Sequence, residues 1–393
     1  MGEGWPCSDS CLHICAEVKP VKKTAQVVAL TSVLALSLAA CGDRPKENAG
    51  AGGSSPSDEA ASSSAAPSPT ASNPDFKACM VSDSGGFDDK SFNQTSHDGL
   101  VNAVKKLGLK TGEVESQSDS EYADNIAALL REDCNAIVTV GFLLGDATEA
   151  AAKKNPDVDF AIVDYGYAKP PKNLRGLSFN TAEPSFMAGY LAAGMTKSGV
   201  VGTFGGAKIP TVTIFMDGFW EGVQYWNKQK DDSVQVVGWD EKSQSGSFTD
   251  DFEDKIAGQD TADNLMSQGA DIIFPVAGPA GLGALESAQA TNGEVNAIWV
   301  DTDGCLSAAE YCDAIISSVM KGMDVAVEKA ISDSVGDKFT SDPYVGTLDN
   351  GGVQLAPFHE FDGDVPQELK DELDTIKQDL VDGKIKITSP SAP

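Results

Sequence analysis

Positive charge is scarce in this sequence. Against 59 Asp and Glu it carries 29 Lys and Arg, for a formal net charge of -30 over 393 residues. Nothing in such a balance neutralises phosphates or releases their counterions, which excludes sequence-independent nucleic-acid binding. Histidine is also rare: His13, His97 and His359 lie far apart, and none of the eight cysteines is spaced as Cys-x-x-Cys, so no zinc site is expected. Asp301 and Asp303, in Val300-Asp301-Thr302-Asp303-Gly304, loosely mimic a calcium loop but lack its downstream ligand spacing and glutamate. The turn Gly278-Pro279-Ala280-Gly281 is not followed by Gly-Lys-Ser/Thr, so it fails as a Walker motif. No pairing of a nucleophile with a base stands out either. The sequence therefore predicts neither a metal, nor a cofactor, nor an enzyme.

Long apolar runs are missing too, with one exception near the start. Lys19, Lys22 and Lys23 precede an apolar stretch from Ala25 to Ala40, a positive n-region and an h-region too short for a stable membrane span. It reads as a signal peptide within residues 1–40. It ends in Leu38-Ala39-Ala40-Cys41, which resembles the lipobox cut by lipoprotein signal peptidase, leaving Cys41 as the lipidated residue of a chain held on the extracytoplasmic face of the cell membrane. Residues Met1 to Glu17 place three cysteines and acidic residues ahead of the n-region; they read as an upstream extension, with Val18 the candidate start. From Gly42 to Pro74 the sequence is Gly, Ala, Ser and Pro with almost no bulky apolar residue, too little to offset ordering entropy. Residues 41–74 are thus expected to be a tether, and a chain of about thirty such residues spans on the order of 30 Å.

From Phe76 onward, β-branched runs alternate with helical patterns, the pattern of mainly parallel sheets with crossover helices. Phe76–Asp83, Ala136–Val140, Asp159–Asp164 and Leu174–Phe179 form one series of strands, with helices beginning near Ser91 and Tyr122. Gly199–Phe204, Val234–Trp239, Asp271–Val276 and Ala297–Asp301 form a second, with helices around Phe215–Asn227 and Phe252–Gln268. A strand-like run at Asp313–Val319, a helix from about Met323 to Ser334, an extended segment at Tyr344–Leu355 and a helix at Gln367–Val381 complete the chain. Two series imply two lobes: residues 75–179 with about 305–343 in the first, residues 180–304 with about 344–393 in the second. With no long linker between them, the chain is expected to cross in extended strands that form a hinge. Ligands of such sheets gather outside the carboxyl ends of the strands.

The most informative segment follows the first strand, Val81-Ser82-Asp83-Ser84-Gly85-Gly86-Phe87-Asp88-Asp89-Lys90-Ser91-Phe92-Asn93-Gln94. Asp89 or Ser91 can cap the next helix, which puts Phe92 and Asn93 on its first turn, an aromatic face beside an amide. These residues closely resemble the basic-membrane-protein family of substrate-binding lipoproteins, which includes purine-nucleoside receptors and feeds ABC importers. The resemblance continues through Gly141-Phe142-Leu143-Leu144-Gly145-Asp146-Ala147, Phe215-Met216-Asp217-Gly218-Phe219, Gly246-Ser247-Phe248, Val276-Ala277-Gly278 and Ser317-Ser318-Val319-Met320-Lys321, and covers essentially all of residues 76–390. His97 departs from it, standing where the family more usually has tryptophan.

The resemblance implies a two-lobed α/β fold like the type I periplasmic binding proteins. It also implies a monomer that delivers a nucleoside, purine favoured, to a membrane ABC permease. Carried over residue by residue, the base would lie between Phe92 and Phe248, with Asn93 and Asp164 bonding its edge. The ribose would be held by Asp83, Asp301 and Lys321, with backbone N–H groups from the turn beginning at Gly278. Phe215 is the reserve for the second aromatic wall. Independently of the resemblance, Asp83, Asp164, Gly278 and Asp301 each end an expected strand. Two alternatives stay open: another small polar ligand such as a sugar, or a surface nucleoside hydrolase. Four cysteines fall in the exported part, an even number that suits an oxidising compartment. Cys305 and Cys312 bracket a short loop and are expected to bridge. Cys79 and Cys134 are candidate partners if the strands they flank are neighbours.

Overall fold

The computed structural model describes residues 72–393; the signal peptide, Cys41 and nearly all of the tether lie outside the described residues. Two six-stranded sheets organise the chain. The first contains β1 (Lys77–Ser82), β2 (Lys110–Glu115), β3 (Ala136–Val140), β4 (Asp159–Val163) and β5 (Leu174–Phe179), followed much later by β13 (Tyr344–Gly346). Its order is β13-β5-β4-β3-β1-β2, and every pairing is parallel. The second contains β6 (Val200–Gly205), β7 (Gln235–Val237), β10 (Ile272–Val276), β11 (Asn296–Asp301), β12 (Ile315–Lys321) and β14 (Val353–Leu355). Its order is β14-β12-β11-β10-β6-β7, parallel except where β14 runs antiparallel to β12. A small hairpin, β8 (Trp239–Asp240) with β9 (Ser245–Gly246), stands beside the second sheet.

Parallel strands need crossovers, and helices supply them. In the first lobe these are α1 (Phe92–Leu107), α2 (Tyr122–Arg131) and α3 (Gly145–Lys154), with α9 (Met323–Val335) packed against α1. In the second they are α4 (Ala182–Met195), α5 (Pro210–Lys230), α6 (Lys255–Ser267), α7 (Leu282–Ala290), the short α8 (Gly304–Ser307) and α10 (Gln367–Val381). Covering both faces explains why the central strands are continuously apolar: β3 and β10 are buried at every position. Cys79, Val81, Ile137 and Phe160 pack under α2 and α3, whereas Ala78, Met80, Val138 and Ala161 face the opposite layer. No helix among the described residues is long and apolar enough to cross a membrane.

The expected division of the chain needs correction. Ile315–Lys321, assigned from sequence to the first lobe, is the fifth strand of the second sheet, bonded to β11 on one side and β14 on the other. Tyr344–Gly346, assigned to the second lobe, pairs with β5 at the edge of the first sheet. The physical reason is that a strand belongs where its ladder partners are. The chain therefore crosses between lobes three times, after β5, after β12 and between β13 and β14. The extended segment expected at Tyr344–Leu355 is accordingly two short strands in different sheets, separated by one of these crossings. Lys110–Glu115 was not expected as a strand. Its Lys, Thr, Gly and Glu residues form an edge whose outer face is exposed, and only the pairing with β1 makes it extended. Both cysteine pairs are bridged: Cys79 in β1 to Cys134 just before β3, and Cys305 to Cys312.

Candidate functional site

The carboxyl ends of both sheets turn toward a common cavity. From the first lobe come Asp83 beyond β1, Gly141 and Phe142 beyond β3, and Asp164 beyond β4. From the second come Gly278 beyond β10, Asp301 at the end of β11 and Lys321 at the end of β12. The cavity is a slot of about 70 Å³. Asp164 and Asp301 adopt the left-handed conformation, with φ of 64° and 69°, which Asp tolerates better than most residues and which ends each strand abruptly. Gly141 (φ 122°) is obligatory: a Cβ there would lie 2.1 Å from an Asp83 carboxylate oxygen.

The Asp89 carboxylate builds the floor of the first wall. It accepts from the backbone N–H groups of Ser91, Asn93 and Gln94 at 2.8–2.9 Å, so it satisfies three of the donors left free at the start of α1. Ser91 is thereby released from capping, and its hydroxyl donates across the cleft to Asp301 at 2.9 Å. The same cap orients Phe92 and Asn93. The Asn93 amide nitrogen donates to the Ser84 carbonyl at 3.0 Å, while its Oδ1 is buried and meets no partner among the described residues. Such an orphaned acceptor is costly unless something donates to it.

The charge balance is unusual. Lys321 Nζ lies 2.5 Å from Asp164 and 3.4 Å from Asp301, in contact with carboxylates from both lobes. Burial alone would lower the pKa of Lys321, but Asp164 and Asp301 outweigh it and hold it raised. Burial raises Asp164 despite the pull of Lys321. It also lifts Asp83 to about 8, against a partly offsetting hydrogen bond from Asn93, and Asp89 to about 6 against its three backbone donors. The Lys321 ammonium lies 4.9 Å from the centroid of Phe92 and 5.0 Å from that of Phe215, one ring from each lobe.

Of the residues carried over from sequence, Asp83, Phe92, Asn93, Asp164, Gly278, Asp301 and Lys321 all line this cavity, as does the reserve, Phe215. Phe248 does not. It bridges to Gly205 at the edge of β6 and meets Trp239 edge-on at 6.0 Å, buttressing the hairpin. Its role as second aromatic wall is therefore corrected. The chain turns at Asp250 (φ 56°) and delivers Phe252 to the slot instead. Sequence reasoning also missed Phe142, Leu143, Ile209, Val212 and Pro279 as walls. Their common signal is an apolar residue just past a strand end or on the first turn of a helix that follows one. Trp239 and Trp299 are buried in cores, although the Trp299 ring N–H reaches the Lys90 carbonyl across the cleft at 3.4 Å.

Asp303 lies close to His359, at 2.7 Å, and to Cys305. Cys305 is disulfide-bonded, which removes its thiolate as a metal ligand, and Asp303 caps α8.

Comparison with known proteins agrees with the architecture. The family model for PnrA-like ABC transporter substrate-binding proteins matches residues 76–390. The ABC transporter nucleoside-binding protein BmpA of Lactococcus lactis is 31% identical over 333 residues, covering 80% of this chain and 90% of that protein. Basic membrane protein A of Borreliella burgdorferi is 30% identical over 317 residues, covering 80% and 88%. Among solved structures, an ABC transporter solute-binding protein of Aeropyrum pernix superposes with a TM-score of 0.72 at 25% identity, covering 80% of this chain and 94% of that one.

Proposed function

Since the chain belongs to the family of PnrA-like ABC transporter substrate-binding proteins, we propose that it binds a nucleoside, purine favoured, in the slot between its lobes. In this reading it works from a lipid anchor at Cys41 on the extracytoplasmic face and delivers the ligand to a membrane permease.

One observation carries the choice of ligand: two phenylalanine rings from opposite lobes, Phe92 and Phe215, flank a slot rimmed by Asp83, Asp164 and Asp301 beside the unpartnered Asn93 oxygen. Aromatic faces suit a flat heterocycle, and stacking is worth about 1–3 kcal/mol per base. The oxygens of Asp164 and Asp301 can accept from sugar hydroxyls and ring N–H groups, the Asp83 carboxyl, raised to about 8 by burial, can also donate, and the Asn93 oxygen can accept one more donor. The Lys321 ammonium, in contact with both rings, must yield space to the base as it enters. Already paired with Asp164 and Asp301, it can swing off the rings about those two carboxyls and keep its counterions. The L. lactis relative is named as nucleoside-binding, which supports the same reading. Exchange of bound groups without bond-breaking is all that the slot requires, and transport follows from closure of the lobes on the ligand.

Thermal-shift titration with adenosine, guanosine, inosine, cytidine, free purine bases and simple sugars, with each mixture assayed for released base, tests this reading. Stabilisation by purine nucleosides without product is expected. Stabilisation only by sugars would replace the ligand class, and release of free base would replace binding by hydrolysis. Mass spectrometry of the membrane-extracted chain is expected to show a diacylglyceryl group on Cys41; an unmodified thiol there would remove the anchor.

A further inference from the structure

A second cavity, about 400 Å³, opens beside the slot on the side where the chain crosses between lobes. The two cavities share Phe142, Asp164, Thr211 and Lys321 as walls, so the Lys321–Asp164 ion pair is a partition between them. Resting on the nucleoside reading above, we infer that this side chamber is a subsite for a neutral, hydroxylated group attached to the nucleoside, such as a second sugar ring.

Three observations fix that chemistry. The hydroxyl of Thr181 on the chamber wall is fully buried and meets no partner among the described residues. That is a standing cost unless a ligand or an ordered water meets it. The Ser178 and Thr211 hydroxyls, also on the wall, engage no other protein group among the described residues, whereas that of Tyr167 is already donated to the Gly145 carbonyl at 2.7 Å. The chamber therefore offers the free hydroxyls of Ser178 and Thr211 at its surface, and that of fully buried Thr181 where the wall gives way to an occupant, beside the ring surfaces of Tyr167 and Phe179, a mixture that matches a sugar, with polar edges and an apolar face. Finally, among the described residues Lys321 is the only cation on the chamber's walls, and it is held between Asp164 and Asp301. A phosphate would find no uncommitted positive charge and would face the Asp164 carboxylate, so the attached group is neutral.

The experiment is calorimetric titration of the chain with adenosine, guanosine and inosine and with the 2′-, 3′- and 5′-O-ribosyl isomers of each, repeated on Thr181→Val. The expected result is that at least one isomer binds within about tenfold of its parent. Thr181→Val then weakens that isomer about three- to tenfold, the value of one hydrogen bond, leaves the parent nucleoside unchanged, and does not lower the melting temperature of the ligand-free protein. Loss of more than about tenfold for every isomer, with the parents still bound, would overturn the subsite and leave the nucleoside reading intact. So would an equal effect, or none, of Thr181→Val on isomer and parent. If none of the three parent nucleosides binds, the nucleoside reading itself fails, and the subsite with it.

Discussion

The two walls of the slot are built from different chemistry. The first lobe contributes Asp83, Asp89 and Asp164 with Asn93, and the apolar side chains Phe92, Phe142 and Leu143. The second contributes Ile209, Val212, Phe215, Phe252, Pro279 and Val300, with Lys321 and Asp301 at its margin. One wall is rich in acceptors that discriminate by hydrogen bonding, the other in apolar surface that binds without much regard to identity. The contrast assigns affinity chiefly to the second lobe and selectivity chiefly to the first, with Lys321, rooted in the second lobe and paired to Asp164 of the first, joining the two.

That division can be attacked at several points. The largest effect is expected at Lys321. Lys321→Met leaves Asp164 and Asp301 buried without their cation, and breaking a buried pair on one side costs about 3–5 kcal/mol; chemical denaturation should show a loss of that size, and a loss below about 1 kcal/mol would mean that the two lobes do not depend on this charge. The disulfides come next. Cys79–Cys134 closes a separation of 55 residues and Cys305–Cys312 one of 7, so loop entropy gives about 4 kcal/mol for the first and about 2.5 kcal/mol for the second. Serine replacement of each pair, compared by denaturation, is expected to preserve that ranking.

Smaller and more specific effects follow at the aromatic walls. Phe92→Ala and Phe252→Ala should each weaken nucleoside binding about tenfold or more, the value of a lost stacking or apolar contact, while Phe248→Ala should lower the melting temperature and leave affinity within about twofold. Equal losses at Phe252 and Phe248 would restore Phe248 to the site. On the acceptor wall, Asp301→Ala should penalise ribosides more than free bases.

A separate effect is on pH. The Asp83 carboxyl is raised to about 8 by burial, so between its unfolded value and pH 8 the native chain retains a proton that the unfolded chain has released. Stability must then fall as pH rises through that window. The melting temperature of the ligand-free protein is expected to decline from pH 5.5 to 8, and Asp83→Asn should flatten the decline. An identical slope in the variant would place the titration elsewhere.

How far the sequence disclosed this arrangement also differs between lobes. In the first, one contiguous segment from Asp83 to Asn93 supplies a strand end, a capping carboxylate and a stacking ring, and local rules of turn and cap chemistry place all of them. Asp164 and Asp301 were legible for a similar reason, as acidic residues ending β-branched runs. In the second lobe the aromatic wall depends on where an irregular stretch, Trp239 to Asp254, folds back. Whether Phe248 or Phe252 enters the cleft is decided by a bridge to Gly205 and by a left-handed turn at Asp250, neither of which has a local signature. The lobe boundaries were missed for a related reason: Ile315–Lys321 and Tyr344–Gly346 are strands by composition, but only their ladder partners say to which sheet they belong. The Thr181 hydroxyl and the Asn93 oxygen could not be recognised as orphans without the packing around them.

A crystal structure of the chain with a bound purine nucleoside tests the central claim most directly. The base is expected against the face of Phe92 with Phe215 on the opposite wall, the nucleoside's hydroxyls or ring N–H groups on Asp83, Asp164 or Asp301, and Lys321 withdrawn from the rings. A nucleoside held anywhere else, with Lys321 still seated against Phe92 and Phe215, would contradict it.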